Sequence, residues 1–298
     1  MPADTTCITI PGPWEHRLIQ ANGAQFHIVV AGEYSETKPL VLLVHGFPQY
    51  WWAWRNQIDA IAQAGYQVVA IDQRGIGGSD KTPKSEDGFT LAQDLAKIVQ
   101  TLGARKTVIV GQGRGGALAW SAVSMEPNLF SGLITFSSPH PRTLQRIGTH
   151  LTLRTWKYAL ATVARSLSAR FFTNERKLHK LLTEWSAPGN VGASSEAKRY
   201  AEALALPGAD TAIDQLRWMY LAQQRPSGRA YLRESAHSVR LPVVAVRGES
   251  DPLLPARAWN KDAEFAIGDY RLITLPTGHF IPEEAPEAAT QIILDFLR

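Results

Sequence analysis

The stretch "VIVGQGRGGALAW", residues 108–120, is where this sequence first offers chemistry. An apolar, β-branched run enters a glycine-rich turn, and a small-residue helical pattern leaves it. The turn admits two readings. Gly111, Gly113 and Gly116 match a G-x-G-x-x-G dinucleotide loop, whose amides at a helix N-terminus hold a pyrophosphate. Gly111 to Gly115 also match a G-x-nucleophile-x-G elbow whose central residue, Gly113, has no side chain to attack with. Two other groups bear on the choice. Asp251 in "VVAVRGESDPLLP" and His279 in "LITLPTGHFIPEEAPE" each stand just past a late apolar run.

The elements around the loop decide against the dinucleotide. Such a loop sits on the first strand of its βαβ unit, with an acid about twenty residues on to bind the ribose. Here at least three strand-like runs precede it, and the next run, "LITF", ends in Ser137-Ser138 with no acid. The runs "QFHIVV", "PLVLLVHG", "YQVVAIDQRG", "TVIVGQG", "LITFSSP", "PVVAVRGESD" and "YRLITLP" are mostly continuously apolar, the pattern of strands covered on both faces. Helical patterns alternate with them ("WRNQIDAIAQA", "LAQDLAKIVQTLG", "GALAWSAVSM", "APEAATQIILDFL"). Alternation of this kind predicts an α/β fold with a mostly parallel sheet flanked by helices and an antiparallel edge at the start. Residues 142–235 read as helical throughout, with breaks at "SAPGNVGASS", "LPGAD" and "RPSG". The expected organisation is a core of residues 1–141 and 236–298 and a helical cap, 142–235, over the carboxyl ends of the strands, where open α/β sheets bind ligands.

Further motifs stand after the strand-like runs. His45-Gly46-Phe47-Pro48 follows one, and Asp72-x-Arg74-Gly75 with Gly77-Gly78-Ser79-Asp80 follows the next. Positions 113, 251 and 279 then fall in the order elbow, acid, histidine. With these residues in this order the chain resembles the α/β-hydrolase fold superfamily. The H-G-F-P form, the Trp-rich turn after it and "SSPHP" resemble the branch of epoxide hydrolases and haloalkane dehalogenases, from about Trp14 onward. The resemblance implies that Asp251 orients His279 as a general base and that the backbone amides of Phe47 and Arg114 form an oxyanion hole. It implies a cis peptide at Pro48 and a bracing role for His45.

The departures are as informative. The related pattern reads G-H-D-W-G-G with aspartate as covalent nucleophile, whereas this chain has Gly111-Gln112-Gly113-Arg114-Gly115-Gly116. Gly113 cannot form the ester, and Arg114 replaces the tryptophan that would hold a halide. Cys7, Ser137 and Ser138 are the substitutes to consider. In the cap, Tyr158, Trp218 and Tyr220 are the candidate substrate contacts, and Trp51 and Trp52, with Trp54 and Trp120, suggest an apolar pocket. A glycine at an elbow relieves the backbone strain an ordinary residue would bear there. The expected function is a small-molecule hydrolase or general-base enzyme without cofactor or metal, acting on a small, apolar organic substrate. The alternative is a non-catalytic ligand-binding protein that keeps the pocket.

Bulk properties set the remaining bounds. Hydrophobic content of 45% and charged content of 19% over 298 residues are those of a globular chain. The apolar runs are too short to span a bilayer, and the first residues lack the pattern of a signal peptide. The lone Cys7 excludes an intramolecular disulfide and suits a cytoplasmic setting. Residues 142–235 carry 15 Lys/Arg against 7 Asp/Glu, a net +8, while the remainder is −4. The charges are scattered and no nucleic-acid module accompanies them, so the reading is a solvated surface or long-range attraction of an anion.

Overall fold

The structure, a computed structural model, describes residues 5–83, 87–143, 165–206 and 209–298. The apolar runs become strands β1 (Glu15–Ala21), β2 (Ala24–Ala31), β3 (Leu40–Val44), β4 (Val68–Ile71), β5 (Thr107–Gln112), β6 (Phe130–Phe136), β7 (Val243–Gly248) and β8 (Tyr270–Leu275). They form one sheet in the order β1-β2-β4-β3-β5-β6-β7-β8. β2 pairs antiparallel with β1 and β4, and all other pairings are parallel. The antiparallel edge is therefore present, but β1 itself has no apolar run to announce it. Its signal is Asn22-Gly23, both at positive φ, which closes a two-residue hairpin between Ala21 and Ala24.

Residues of one strand point alternately to two hydrophobic clusters. In β3, Val41 and Leu43 face one cluster with Ile58, Ile61 and Ile293, while Leu40, Leu42 and Val44 face another with Leu91, Leu95 and Leu118. The first face is covered by α1 (Arg55–Gln63) and, from the chain's end, the helix Pro286–Leu297; the second by α2 (Gly88–Thr101) and α3 (Arg114–Met125). Coverage of both faces is why β3, β4 and β5 are buried along their whole length. The outer strands β1 and β8 depart from this, each leaving part of its side chains exposed.

Between β6 and β7 the chain forms α4 (Arg165–Phe172), α5 (Glu175–Trp185), α6 (Ala197–Ala205), α7 (Ala209–Tyr220) and α8 (Pro226–Glu234). One break falls where "SAPGNVGASS" stands and another at Arg225 of "RPSG", whose extended backbone precedes α8; Pro226 opens that helix at a position where its missing N–H costs nothing. After β8 come α9 (Ile281–Glu284) and α10 (Pro286–Leu297). Buried Glu283 of α9 joins these helices to the core. It accepts from Arg55 at 2.7 Å, from Gln49 at 2.6 Å and from the Tyr200 hydroxyl of α6 at 2.6 Å.

The exit of β6 is pinned by a buried acid. Asp262 Oδ2 accepts the His140 amide at 3.0 Å, and burial pushes its carboxyl up to about 7. A carboxyl raised in the folded state makes that state bind more protons than the unfolded chain between pH ~4 and ~7, so its contribution to stability falls as pH rises through that window. Asp262→Asn should gain on the wild type by about 2–4 kcal/mol between pH 4 and pH 8. Urea unfolding of both proteins at the two pH values checks this; an unchanged difference would mean that the acid titrates normally.

Candidate active site

β5 delivers the chain to Gly113, which adopts φ 51° and ψ −118° before α3 begins at Arg114. Its amide donates to the Phe136 carbonyl at 2.8 Å, and its own carbonyl accepts from Ala117 at 3.2 Å. An ordinary residue in such a region costs about 1–3 kcal/mol, and glycine does not. A Cβ built on Gly113 would lie 3.2 Å from His279 Nε2. The turn thus aims its vacant side-chain direction at the imidazole.

The imidazole is held in a basic tautomer. His279 Nδ1 donates to Asp251 Oδ2 at 2.8 Å, and Asp251 Oδ1 accepts the Leu253 amide at 2.8 Å. Both carboxylate oxygens are engaged, so Asp251 acts as an acceptor and the proton resides on Nδ1. Nε2, facing Gly113, is then the nitrogen with a lone pair. Both side chains are buried.

Glu284 holds the loop that carries this histidine, and sequence reasoning assigned it no role. Its carboxylate accepts three backbone amides, those of Gly278 at 2.7 Å, Phe280 at 2.8 Å and Ala187 at 2.8 Å. The last lies just beyond α5, so one acid fixes both the histidine loop and the helical segment. Two more bonds complete the frame: the His279 amide donates to the Trp185 carbonyl at 2.8 Å, and Gln112 Nε2 donates to the His279 carbonyl at 2.9 Å. The available signal was the Glu-Glu pair inside the otherwise apolar "HFIPEEAP".

Opposite the histidine lies the loop after β3. Phe47-Pro48 is a cis peptide. The Gln112 side-chain oxygen occupies the place a Cβ on Gly46 would take, which is why the loop passes so close to the elbow. His45 braces it: the Gln73 amide donates to Nε2 at 3.1 Å, and Nδ1 donates to the Gly46 carbonyl at 2.7 Å. Burial pulls its pKa down to about 4, so it is neutral at pH 7. Arg114 is the first residue of α3, where helical amides lack intrahelical acceptors.

The remaining candidates divide by placement. Trp51 is fully buried, donating from its ring to the Ile8 carbonyl at 2.8 Å, and Trp52 donates to Glu196 at 2.8 Å. The two rings meet edge to face in a cluster with Trp14 and Tyr50, which is packing between the first residues and the core. Trp54 and Trp120 are likewise core side chains. Trp218 packs on Tyr231, and Tyr220 ends α7 at 52% exposure. The α7 side chain that reaches the elbow is Gln215, bonded to Arg114 at 2.5 Å. Tyr158 lies outside the described residues. Cys7 lies in an N-terminal turn whose carbonyl accepts the Tyr50 hydroxyl. Ser137 and Ser138 are buried at the end of β6, Ser138 against Gly116. Among the described residues no three His, Cys, Asp or Glu side chains converge to hold a metal, and no helix is long and apolar enough to cross a membrane.

Comparison with known proteins agrees with this architecture. The family profile of the alpha/beta hydrolase fold matches residues 39–286. The AB hydrolase superfamily protein YfhM of Bacillus subtilis is 30% identical over 290 residues, 95% of this chain and 97% of that protein. Epoxide hydrolase A of Mycobacterium tuberculosis is 27% identical, with 94% and 96% covered. Among solved structures, Cfl2 from Burkholderia cenocepacia superposes with a TM-score of 0.80 at 24% identity over 96% of each chain. Epoxide Hydrolase A from Mycobacterium thermoresistibile gives 0.76 at 24% identity, with 96% and 98% covered. At such identities the structural likeness speaks to the fold.

Because Glu284 satisfies three buried amides, removing its charge leaves donors unpaired. Glu284→Gln should cost about 2–4 kcal/mol in urea unfolding. A cost below about 0.5 kcal/mol, the range of ordinary surface changes, would show that the loop is held by other contacts.

Proposed function

Since this chain belongs to the α/β-hydrolase-fold family and has epoxide hydrolases among its relatives, we propose that it is a hydrolase of small organic substrates working without a covalent protein intermediate. The observation that carries this reading is the 3.2 Å between His279 Nε2 and the position a Cβ on residue 113 would take. In the resembling family that position bears the attacking aspartate. Here the space beside the base is left to a water or a substrate atom.

In the step we propose, water donates to His279 Nε2 and transfers its proton there as its oxygen bonds to the electrophilic carbon. The electron pair of the breaking bond moves onto a substrate oxygen held by the Phe47 and Arg114 amides. Asp251 accepts from the Nδ1–H throughout and stabilises the imidazolium, which then returns the proton to the product oxygen. The same base, with a C–H in place of water, would serve a cofactor-free lyase or isomerase step. Residues 142–235 act as the cap. Three contacts support that placement: Phe172 against the Phe47 ring at 5.0 Å, the Trp185 carbonyl on the His279 amide, and Gln215 on Arg114. We assign Gln215, rather than Trp218 or Tyr220, to the substrate side. A cytoplasmic setting fits the single cysteine.

His279→Ala should reduce turnover of whichever small epoxide or activated ester the protein hydrolyses by roughly 10²–10⁴-fold. Unchanged rates in a steady-state assay would reject the base. Gly113→Asp places a carboxylate beside Nε2 and should open epoxides through an ester that mass spectrometry detects when His279 is also removed. A wild type inert to the whole panel, together with a folded Gly113→Asp variant that forms no ester, would favour the non-catalytic binding protein.

A further inference from the structure

Arg114 is a buried cation that meets no acid among the described residues. It is 7% exposed, and its Nη1 donates to Gln215 Oε1 at 2.5 Å. Gln215 is itself fixed, because its Nε2 donates to the Arg74 carbonyl at 2.8 Å. Among the described residues, Nε and Nη2 of Arg114 have no partner. Burial without a compensating acid pulls the guanidinium below the usual arginine pKa. Other buried or half-buried arginines are treated differently: Arg55 is paired with Glu283, Arg217 with Asp214 and Arg74 with Asp94. An unpaired buried charge is costly, and each unsatisfied donor adds to that cost. Such a group persists where something else neutralises it.

The two unpartnered donors identify the chemistry of that partner. Nε–H and the adjacent Nη2–H lie side by side along one edge of the guanidinium, a fork that matches the two oxygens of a carboxylate. Arg74 shows this pairing within the same protein, its Nε and Nη2 donating to the two Asp94 oxygens at 2.7 and 2.5 Å. A monoanion balances one guanidinium, whereas a phosphate dianion would add surplus charge to a site that already contains Asp251. The net +8 of residues 142–235 favours the approach of an anion.

We infer that Arg114 receives a carboxylate carried by the substrate, so that the substrate class is small organic acids, with the reacting carbon beyond the carboxylate toward His279. This rests on the hydrolase reading for its reacting end, but not for its binding end. Arg114 is then a specificity residue through its side chain and an oxyanion donor through its amide.

The test is binding of acetate, butyrate and phenylacetate, each beside its primary amide, by calorimetry and thermal shift at constant ionic strength. The wild type should bind at least one acid ten-fold or more tighter than its amide. Arg114→Met should abolish that preference and, without ligand, melt higher than the wild type because an unpaired buried charge is gone. Arg114→Lys keeps charge but loses the fork and should retain only a few-fold preference, which keeps the inference testable should the Met variant fold poorly. His279→Ala should keep the full preference, so loss of turnover there and loss of carboxylate selectivity are read separately. Equal binding of acid and amide by the wild type, a preference surviving Arg114→Met, or tighter binding of inorganic phosphate than of any of the acids would overturn it.

Discussion

The hydrogen bond from His279 Nδ1 to Asp251 is the interaction on which the proposed chemistry depends. A neutral imidazole has two nitrogens and one proton, and only one tautomer leaves Nε2 as an acceptor toward the elbow. Asp251 selects that tautomer because both its oxygens are committed as acceptors. The sheet makes this geometry cheap to maintain. β5, β7 and β8 run parallel, so Gly113, Asp251 and His279 all emerge at the carboxyl end.

Around this bond, buried charge is handled in two ways. Glu284, Glu283 and Asp72 are each satisfied by several donors; Asp72, for example, accepts the Trp51 amide at 2.9 Å, the Gly78 amide at 3.0 Å and His27 at 2.8 Å. These acids set loop positions, and a carboxylate that accepts several hydrogen bonds is a rigid junction. Arg114 differs. It is buried one residue from the elbow with both donors of its fork idle among the described residues, and the neighbouring Gly113 offers no side chain to offset it. A scaffold that can satisfy Arg74 and Arg55 with internal acids has left this cation for something outside the chain.

The helical segment contributes more to the site than its sequence suggested. Its aromatic residues were the candidate substrate contacts, yet Trp218 spends its surface on Tyr231. What reaches the core are unassuming groups: the Gln215 amide, the Trp185 carbonyl and the Ala187 N–H. Backbone groups and neutral amides carry no compositional signal, so nothing in the spacing of residues 142–235 distinguished them.

By itself the sequence determined the α/β alternation, the parallel sheet and the succession of elbow, acid and histidine, because period and order are local properties that a chain cannot hide. It also showed that residue 113 has no side chain. β1 escaped it, since an edge strand with solvent on one side needs no apolar run, and only the Asn22-Gly23 turn marks it. Tertiary structure alone decided that the Cβ direction of Gly113 meets His279 Nε2, that Glu284 clamps the histidine loop, and that Arg114 has Gln215 as its side-chain partner among the described residues. Those are contacts between residues 101 and 166 positions apart or across a tight loop, and whether a buried polar group is satisfied depends on what the fold brings close, which no local pattern encodes.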